Sequence, residues 1–506
     1  MLVTIDRRLN NVTMYRLLAY GLVLILAISL LFASLNLIQL DYLSLLASVL
    51  VLVVSCLSSN WLFAKIYQVS ANSESAFLTA LILALILNPT LKAEGIIGLM
   101  VAGVVAMASK YLLAINRKHI FNPAALAAVV VVLLGLGRAS WWVGSANLLP
   151  FTLVFGFLVA RKIRREDMVL SFIVPAVAMI CLMGVLVDGR GLGEMLSEAF
   201  LSWPVVFLAT VMLTEPITTP PGRLERNTYA VLAAVLMTSR WNLGFIAASP
   251  ALALVLANVF SYIVGSKQRV VLTLKEVVKM APNVWDFVFA PSEKLKFTAG
   301  QFAEWTLPLR HGKRDERGNR RYFTIASAPT EDVVRLGVKF YPEPSAFKEE
   351  LQSLQIGDEV LLGQVTGDFT LPHKQVPLLF LAGGIGITPF RSMLGEMELA
   401  SAYRDVVLIY AAASFSEVAY RETLEAAKAS GVKVVLLLGS EEGVPEGWEV
   451  RKGFLTSELL RELVPDAQQR LTYISGPNIF VDSAKKNCLS VGVRKGQVVT
   501  DYFPGY

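Results

Sequence analysis

Leu379-Phe380-Leu381-Ala382-Gly383-Gly384-Ile385-Gly386-Ile387-Thr388-Pro389-Phe390-Arg391-Ser392-Met393-Leu394 decides how the C-terminal half of this 506-residue chain is read. The apolar run from Leu378 to Ala382 has the length and continuity of a parallel strand buried on both faces. Gly383, Gly384 and Gly386 predict a tight turn whose bare backbone lets a phosphate approach the amides. Thr388 and Pro389 fall where a helix begins, since proline is tolerated in a first turn whose N–H groups lack helical partners. The amides at that end would face a negative ligand. A glycine cluster by itself also suits an ordinary turn, so its meaning depends on the rest of the chain.

Downstream, Gln375–Tyr506 keeps one rhythm. Strands are expected at Leu378–Ala382, Val406–Ala411, Val432–Leu438 and Arg470–Ile474. Helices are expected up to about Leu399 and at Tyr420–Ala429, Thr456–Leu463 and Phe480–Leu489. This alternation is that of a parallel α/β sheet with helices on its faces, where ligands gather at the carboxyl ends of strands. Upstream, Val270–Pro372 alternates apolar and polar residues between Gly and Pro turns. Strands are expected at Val271–Leu274, Val284–Phe289, from Gly300 to near Leu307, and at Gly357–Leu362. The expected fold there is a small antiparallel β-barrel.

The N-terminal half is of another kind. The chain is 55% hydrophobic, with a mean hydropathy of +0.56, too apolar for a soluble enzyme. The excess lies in Met14–Val264. Spans are expected near 14–38, 43–64, 76–90, 97–115, 121–137, 147–160, 168–187, 200–215, 227–238 and 242–264, about ten in all. Lys65, Arg117, Lys118, the run Arg161, Lys162, Arg164 and Arg165, then Arg223, Arg226, Lys267 and Arg269 stand at every second boundary. The positive-inside rule makes that side cytoplasmic and puts both the N-terminus and the soluble half there. Asn88-Pro89, Asn122-Pro123 and Pro216, Pro220 and Pro221 interrupt spans. Such breaks either expose helix ends inside a bundle or mark interfacial turns. Glu74 and Glu215 lie beside them, at bundle depth or among headgroups.

Several function classes are excluded. The net charge of +6 comes from short clusters at span edges and carries no nucleic-acid signal. Cys56, Cys181 and Cys488 have no metal-ligand spacing, and no metal site is expected. His119, His311 and His373 form no pair on facing spans, which excludes a transmembrane bis-histidine haem.

Arg321-Tyr322-Phe323-Thr324, shortly before Ala328-Pro329, together with Gly383–Pro389 and the terminal Phe503-Pro504-Gly505-Tyr506, resembles the ferredoxin–NADP reductase superfamily. The resemblance implies FAD bound by Arg321 on its phosphates and by Tyr322, Phe323 and Thr324 along its ring. Ser345 and Ala346 would form a second phosphate loop, although Glu343-Pro344 stands where the family carries a glycine. Asp501 and Tyr506 would cover the flavin. The dinucleotide would lie on Gly383, Gly384, Gly386, Thr388 and Pro389, with Ser475-Gly476-Pro477 in place of the family's Cys-Gly-Pro. No arginine follows Ala411-Ala412-Ala413-Ser414 directly; Arg421 is the nearest, so NADH is expected over NADPH.

His119–Ala124 and Thr214–Pro220 resemble the membrane flavoprotein subunits of the sodium-pumping NADH:quinone reductase and the Rnf complex, over most of 40–264. The Ser-Gly-Ala-Thr attachment sequence is absent. The resemblance therefore implies non-covalent FMN, or an ion, near Asn122, Thr214, Glu215, Thr218, Thr219 and Glu74. The implied organisation is a transmembrane electron-transfer domain (1–266), an FAD-binding β-barrel (267–373) and an NAD(P)-binding α/β domain (374–506). Electrons would pass from cytoplasmic NADH to an acceptor at or beyond the outer face, such as a flavinylated or metal protein. The alternatives are a redox-driven Na+ or H+ pump and a transporter with an attached reductase domain.

Overall fold

The computed structural model describes the chain except for residues 1–4, 6–8, 10–11, 69–70, 116–117, 221, 245, 266–268, 309–318, 343, 400–403 and 504–506. Expectations for Arg117, Pro221, Lys267, His311, Glu343, Pro504, Gly505 and Tyr506 lie outside the described residues. The chain divides into two compact units, Met1–Gly265 and Ser266–Tyr506.

The first unit is helical: α1 Met14–Ser34, α2 Tyr42–Ile66, α3 Ser73–Ile86, α4 Ala93–Leu112, α5 Pro123–Leu133, α6 Leu149–Ile163, α7 Glu166–Leu186, α8 Leu192–Leu201, α9 Val205–Phe207, α10 Arg223–Thr238 and α11 Pro250–Val264. Side chains placed just ahead of the apolar runs start many of them. Asp41 accepts from Ser44 N at 2.7 Å, Asn72 from Ser75 N at 3.0 Å and Asn122 from Ala125 N at 3.0 Å, each satisfying a donor the helix cannot. Proline follows the cap in α5 and α11. Asn88-Pro89 stops α3, because the residue before proline is pushed out of the helical region. Trp142 then caps the orphaned end, its indole N–H donating to Ala84 O at 3.0 Å and Leu87 O at 3.1 Å. α3 is apolar all round and buried along most of its length, which makes it a central element.

About ten spans are not what this unit contains. Four of its helices, α1, α2, α4 and α7, are long and apolar enough to cross a membrane, and a fifth span is added only if α8 and the segment Val205–Met212, bent by 55°, are taken together. The reason is length. α3 has 14 residues and α5 has 11. At about 1.5 Å per residue neither reaches the roughly 30 Å of a hydrocarbon core. Asn88-Pro89 ends one such short helix and Asn122-Pro123 begins the other. The four long helices turn apolar side chains such as Leu24, Val54 and Val174 outward, and their composition indicates membrane association.

The second unit holds two sheets. Strands β1 Arg269–Ala281, β2 Val284–Pro291, β3 Phe302–Thr306, β4 Arg320–Thr324, β5 Val334–Lys339 and β6 Glu359–Thr366 form one antiparallel sheet in the order β4-β3-β6-β1-β2-β5. Trp305, Phe287 and Phe289 fill its concave face. The expected closed barrel is not formed. Register irregularities at Leu274/Glu276, Lys279/Ala281 and Phe302/Glu304 curl the sheet. Its edge strands β4 and β5 are short and not paired with each other, so the staggered closure a barrel needs is missing.

Helix α12 Ala346–Gln352 follows β5. The remaining strands, β7 Leu378–Gly383, β8 Val406–Ser414, β9 Lys433–Ser440, β10 Glu449–Lys452, β11 Leu471–Pro477 and β12 Val498–Phe503, make an open parallel sheet in the order β10-β9-β8-β7-β11-β12. Its helices are α13 Thr388–Leu399, α14 Arg421–Ala429, α15 Ser457–Leu463 and α16 Asn478–Ser490. β7 is buried at every position: Leu378 and Phe380 belong to the core on one face, Leu379 and Leu381 to that on the other. Each such side chain contributes about 1.5–3 kcal/mol relative to exposure, which holds β7 at the centre.

Candidate functional site

The glycine turn leaves the carboxyl end of β7. Gly384 has φ +53 and open space where a side chain would project. Gly386 is the opposite case. A Cβ there would lie 2.4 Å from Ser475 O and 2.5 Å from Gly476 Cα. Gly476, at φ +151, returns the contact, since its own Cβ would lie 2.9 Å from Gly383 O. The ends of β7 and β11 therefore touch backbone to backbone, and Gly383, Gly384, Gly386, Ser475, Gly476 and Pro477 come together at one place. Thr388 and Pro389 are buried in the first turn of α13. The Thr388 hydroxyl donates to Ile385 O at 3.0 Å, which closes the turn.

Ser475 is fully buried, and its Oγ has no hydrogen-bond partner among the described residues. It pairs in register with Ala382 on one side and Asp501 on the other. Desolvation pushes the Asp501 carboxyl up to about 7, against a modest opposing effect of the Tyr502 amide. A carboxyl so placed can hold or release a proton near neutral pH.

The edge strand β4 carries the second set. Arg321 donates from Nη1 to Arg320 O at 2.7 Å and lies over the Phe347 ring, 5.4 Å from its centroid. Phe323 stacks obliquely on the same ring at 5.6 Å. Phe347 is fully buried in the first turn of α12, directly after Ser345 and Ala346, so Arg321 and that pair are brought together. Tyr322 stays 48% exposed, with its hydroxyl 3.3 Å from Glu304 Oε2 and its ring edge-on to Phe302. An exposed aromatic face of this kind is a stacking surface. Thr324 is buried at the strand's end.

In the first unit Glu215 is a centre. Its carboxylate accepts from Asn122 Nδ2 at 2.9 Å and Thr218 Oγ1 at 3.2 Å, and lies 3.3 Å from His119 Nε2. The chain enters it through a π-helical turn, Leu208–Met212. Thr214 and Thr219 are not among these partners: Thr214 Oγ1 donates to Thr210 O at 2.7 Å and Thr219 Oγ1 to Glu215 O at 2.5 Å. Glu74 belongs to another element, the first turn of α3. Two residues that sequence reading missed complete the site. Asn258 Oδ1 accepts from Asn122 N at 2.8 Å, and its Nδ2 donates to Tyr229 OH at 2.9 Å. A single amide in the mostly apolar helix α11 was the available signal.

Residues 380–486 match the family described as "Oxidoreductase NAD-binding domain". The reductase component of a propane 2-monooxygenase from Mycolicibacterium goodii is 31% identical over 242 residues, 45% of this chain and 66% of that protein. The reductase subunit of a glycine betaine monooxygenase from Chromohalobacter salexigens is 26% identical over 226 residues, 42% and 60% of the two chains. A flavohemoprotein from Burkholderia is 26% identical over 231 residues, 45% and 57%. The chain thus spans between 57 and 66% of the length of these curated relatives. Among solved structures, the flavohem-like FAD/NAD-binding domain of a nitric oxide dioxygenase from Vibrio cholerae superposes with a TM-score of 0.42 at 21% identity, covering 47% of this chain and 99% of that one. The matched domain defines the class of residues 380–486 in the second unit: they form the NAD-binding domain of an oxidoreductase. It is joined in one chain to a unit with several long apolar helices.

Proposed function

We propose that the chain is a membrane-bound NAD(P)H-dependent flavin oxidoreductase that moves electrons from cytoplasmic NADH to an acceptor at or beyond the outer face. One observation carries this reading: a bare-backbone turn beside the buried Ser475 hydroxyl, which has no partner among the described residues, on the sheet that follows the strand of Arg321 and Tyr322. The residues present suit both groups. Arg321 with Ser345 and Ala346 would hold the flavin phosphates, and Tyr322, Phe323 and Thr324 its ring. Gly383, Gly384 and Gly386 would take the dinucleotide, with Thr388 and Pro389 shaping the turn and Ser475, Gly476 and Pro477 bordering it. FAD bound there supplies acceptance of a hydride and release of electrons one at a time. The domains of this reading are 1–266, 267–373 and 374–506. Relatives named as reductase subunits and components support the idea that electrons leave the module for another centre.

Arg421 supports NADH. Its guanidinium donates to Val418 O, Phe415 O and Ser416 O at 2.9 to 3.2 Å and stacks on Phe415 at 4.5 Å. A 2′-phosphate would have to compete for those donors. NADH is expected to exceed NADPH in kcat/KM by about tenfold or more, the scale of one charged hydrogen bond. Steady-state rates with the two nucleotides check this, and equal values would remove Arg421 from the argument.

Within the first unit, the reading places non-covalent FMN near Asn122, Thr214, Glu215, Thr218, Thr219 and Glu74, of which Asn122 and Thr218 reach the Glu215 carboxylate. A second reading, a redox-driven cation pump, is favoured by the Glu215–His119 pair at a helix break. Detergent-purified protein decides between them and the simplest case. The main reading expects a second flavin per chain that stays with the N-terminal fragment after cleavage near residue 267, and NADH-driven reduction of an impermeant acceptor across vesicles, indifferent to sodium. Sodium-dependent turnover with charge movement supports the pump. Flavin in the C-terminal fragment alone removes the membrane flavin.

A further inference from the structure

Asp286 is 1% exposed on β2, the strand beside the edge strand β5, and the other buried side chains of β2 are apolar. A buried carboxylate persists only where it is paired and hydrogen-bonded. One partner is local: Arg335 of β5 donates from Nη1 to Asp286 Oδ2 at 2.7 Å. The other comes from the parallel-sheet half of the same unit, where Tyr420 OH donates to Asp286 Oδ1 at 3.1 Å. The path for that phenol is a gap in β5. Gly337 stands directly opposite Asp286 in the ladder. A Cβ on Gly337 would lie 2.4 Å from Tyr420 OH and 2.8 Å from Thr388 Cγ2. The missing side chain thus admits both Tyr420 and the first residue of the helix that leaves the glycine turn.

Tyr420 itself is held in the left-handed region at φ +56, a conformation that a bulky residue adopts only when its surroundings enforce it. Neighbouring contacts make the junction rigid on the α13 side. Arg391 lies over the Tyr420 ring at 5.8 Å, donates to Ala326 O at 3.0 Å and pairs with Glu331. Ser392 Oγ donates to Ser327 O at 2.6 Å. Residues 326 and 327 follow β4, the strand of Arg321 and Tyr322, by two and three positions. The turn that would carry the dinucleotide and the strand that would carry the flavin ring are therefore tied by polar links of fixed length, with Tyr420 and Asp286 at the centre.

We infer that Tyr420 is a positioning residue: its phenol, passing the gap at Gly337 to reach Asp286, fixes the nucleotide turn against the flavin strands and sets the rate of hydride transfer while contributing little to the affinity of either cofactor. This rests on the reading of the two cofactor sites given above. The step concerned is the passage of a hydride, two electrons and one proton, from the dihydronicotinamide to the oxidised flavin, which leaves NAD+ and reduced flavin and needs no further reactant. Rates of such steps depend steeply on placement, and a shift of about 1 Å costs up to a hundredfold.

The test uses the full chain in detergent. Tyr420→Phe keeps the ring and removes the hydroxyl, and Gly337→Ala obstructs the gap. FAD content and NAD+ affinity by calorimetry are expected to stay within about twofold of the parent. Flavin reduction by NADH in anaerobic stopped flow is expected to slow by about tenfold to a hundredfold. The charge-transfer absorbance of the nucleotide–flavin pair should weaken in parallel. The double variant should be no slower than the slower single one, because both act on one contact. In FAD-free protein, the amides of 418–424 should exchange hydrogen faster in Tyr420→Phe. If that variant does not fold, Asp286→Asn carries the same expectations. Parental reduction rates overturn the inference, as does a loss of FAD or NAD+ affinity in proportion to the rate. A parent protein that binds neither cofactor instead overturns the reading of the sites, and the inference falls with it.

Discussion

Arg321→Ala is expected to leave purification almost colourless and to oxidise NADH more than a hundredfold more slowly than the parent, with activity returning only under a large excess of FAD. Arg321 sits on an edge strand, its guanidinium backed by the Phe347 ring and fixed through the Arg320 carbonyl. Those contacts pre-orient a fork that can meet two phosphate oxygens at once. Losing a charge-assisted pair of this kind costs about 3 kcal/mol, roughly a hundredfold in affinity. Arg321→Lys should recover little, because an ammonium offers a point charge rather than a planar pair of donors and does not stack on Phe347 in the same way. The flavin-to-protein absorbance ratio and an FAD titration read the effect. A colourless variant whose circular dichroism and Tm match those of the FAD-free parent isolates binding from folding. A variant with full flavin content would take Arg321 out of the site.

Why the sequence shows some of this and hides the rest is a matter of period and distance. β7 buries both faces, so its signal is a run of five apolar residues that needs no partner to be seen. The strands and helices read from 375–506 fall within two or three residues of the observed ones. β10 and β12 escape, since Glu449-Val450-Arg451-Lys452 is a short polar edge strand and Val498–Phe503 is half-buried throughout. Closure of the antiparallel sheet is not local information at all. It depends on strand length and stagger, which the Gly and Pro turns of 270–372 do not encode. Hydropathy overcounts spans for a related reason: it counts every apolar segment, including those whose helices, Ser73–Ile86, Pro123–Leu133 and Pro250–Val264, are too short to cross.

The candidate sites divide in the same way. Gly383, Gly384, Gly386 and Arg321 lie in motifs a few residues long, and the structure groups them with Ser475–Pro477 and Ser345–Ala346, respectively. The Glu215 cluster is only partly legible. Asn122 and Thr218 reach the carboxylate, whereas Thr214 and Thr219 turn to backbone carbonyls of their own segment, a common fate of threonine near a helix end. Asp286 and Tyr420 are 134 positions apart and meet through a glycine that belongs to neither motif. No local pattern announces such a contact. What could have flagged it is an isolated aspartate inside Val284–Phe289, a strand with no solvent face to spare.

Gly386→Ala is expected to abolish NADH-dependent flavin reduction by more than a hundredfold while FAD stays bound. The added Cβ meets backbone only, Ser475 O at 2.4 Å and Gly476 Cα at 2.5 Å, so no side chain can rotate away. The ends of β7 and β11 must separate, which carries the turn and Ser475 off their places together. Overpacking of this sort costs about 1–3 kcal/mol and lowers Tm by several degrees. Arg321 to Thr324 lie on the other sheet and Ser345 and Ala346 at α12, so the flavin spectrum should survive; of the residues assigned to the flavin, Asp501, paired with Ser475, borders the displaced strand. Gly384→Ala is the contrasting case. It meets open space, at a strain of about 1 kcal/mol from its positive φ. Its methyl would stand on the surface that the dinucleotide approaches, so KM for NADH should rise about tenfold with kcat nearly unchanged, the pattern of lost uniform binding. The two glycines, two residues apart, thus separate a packing role from a contact role. Parental kcat and KM in both variants would mean that the nucleotide does not lie on this turn.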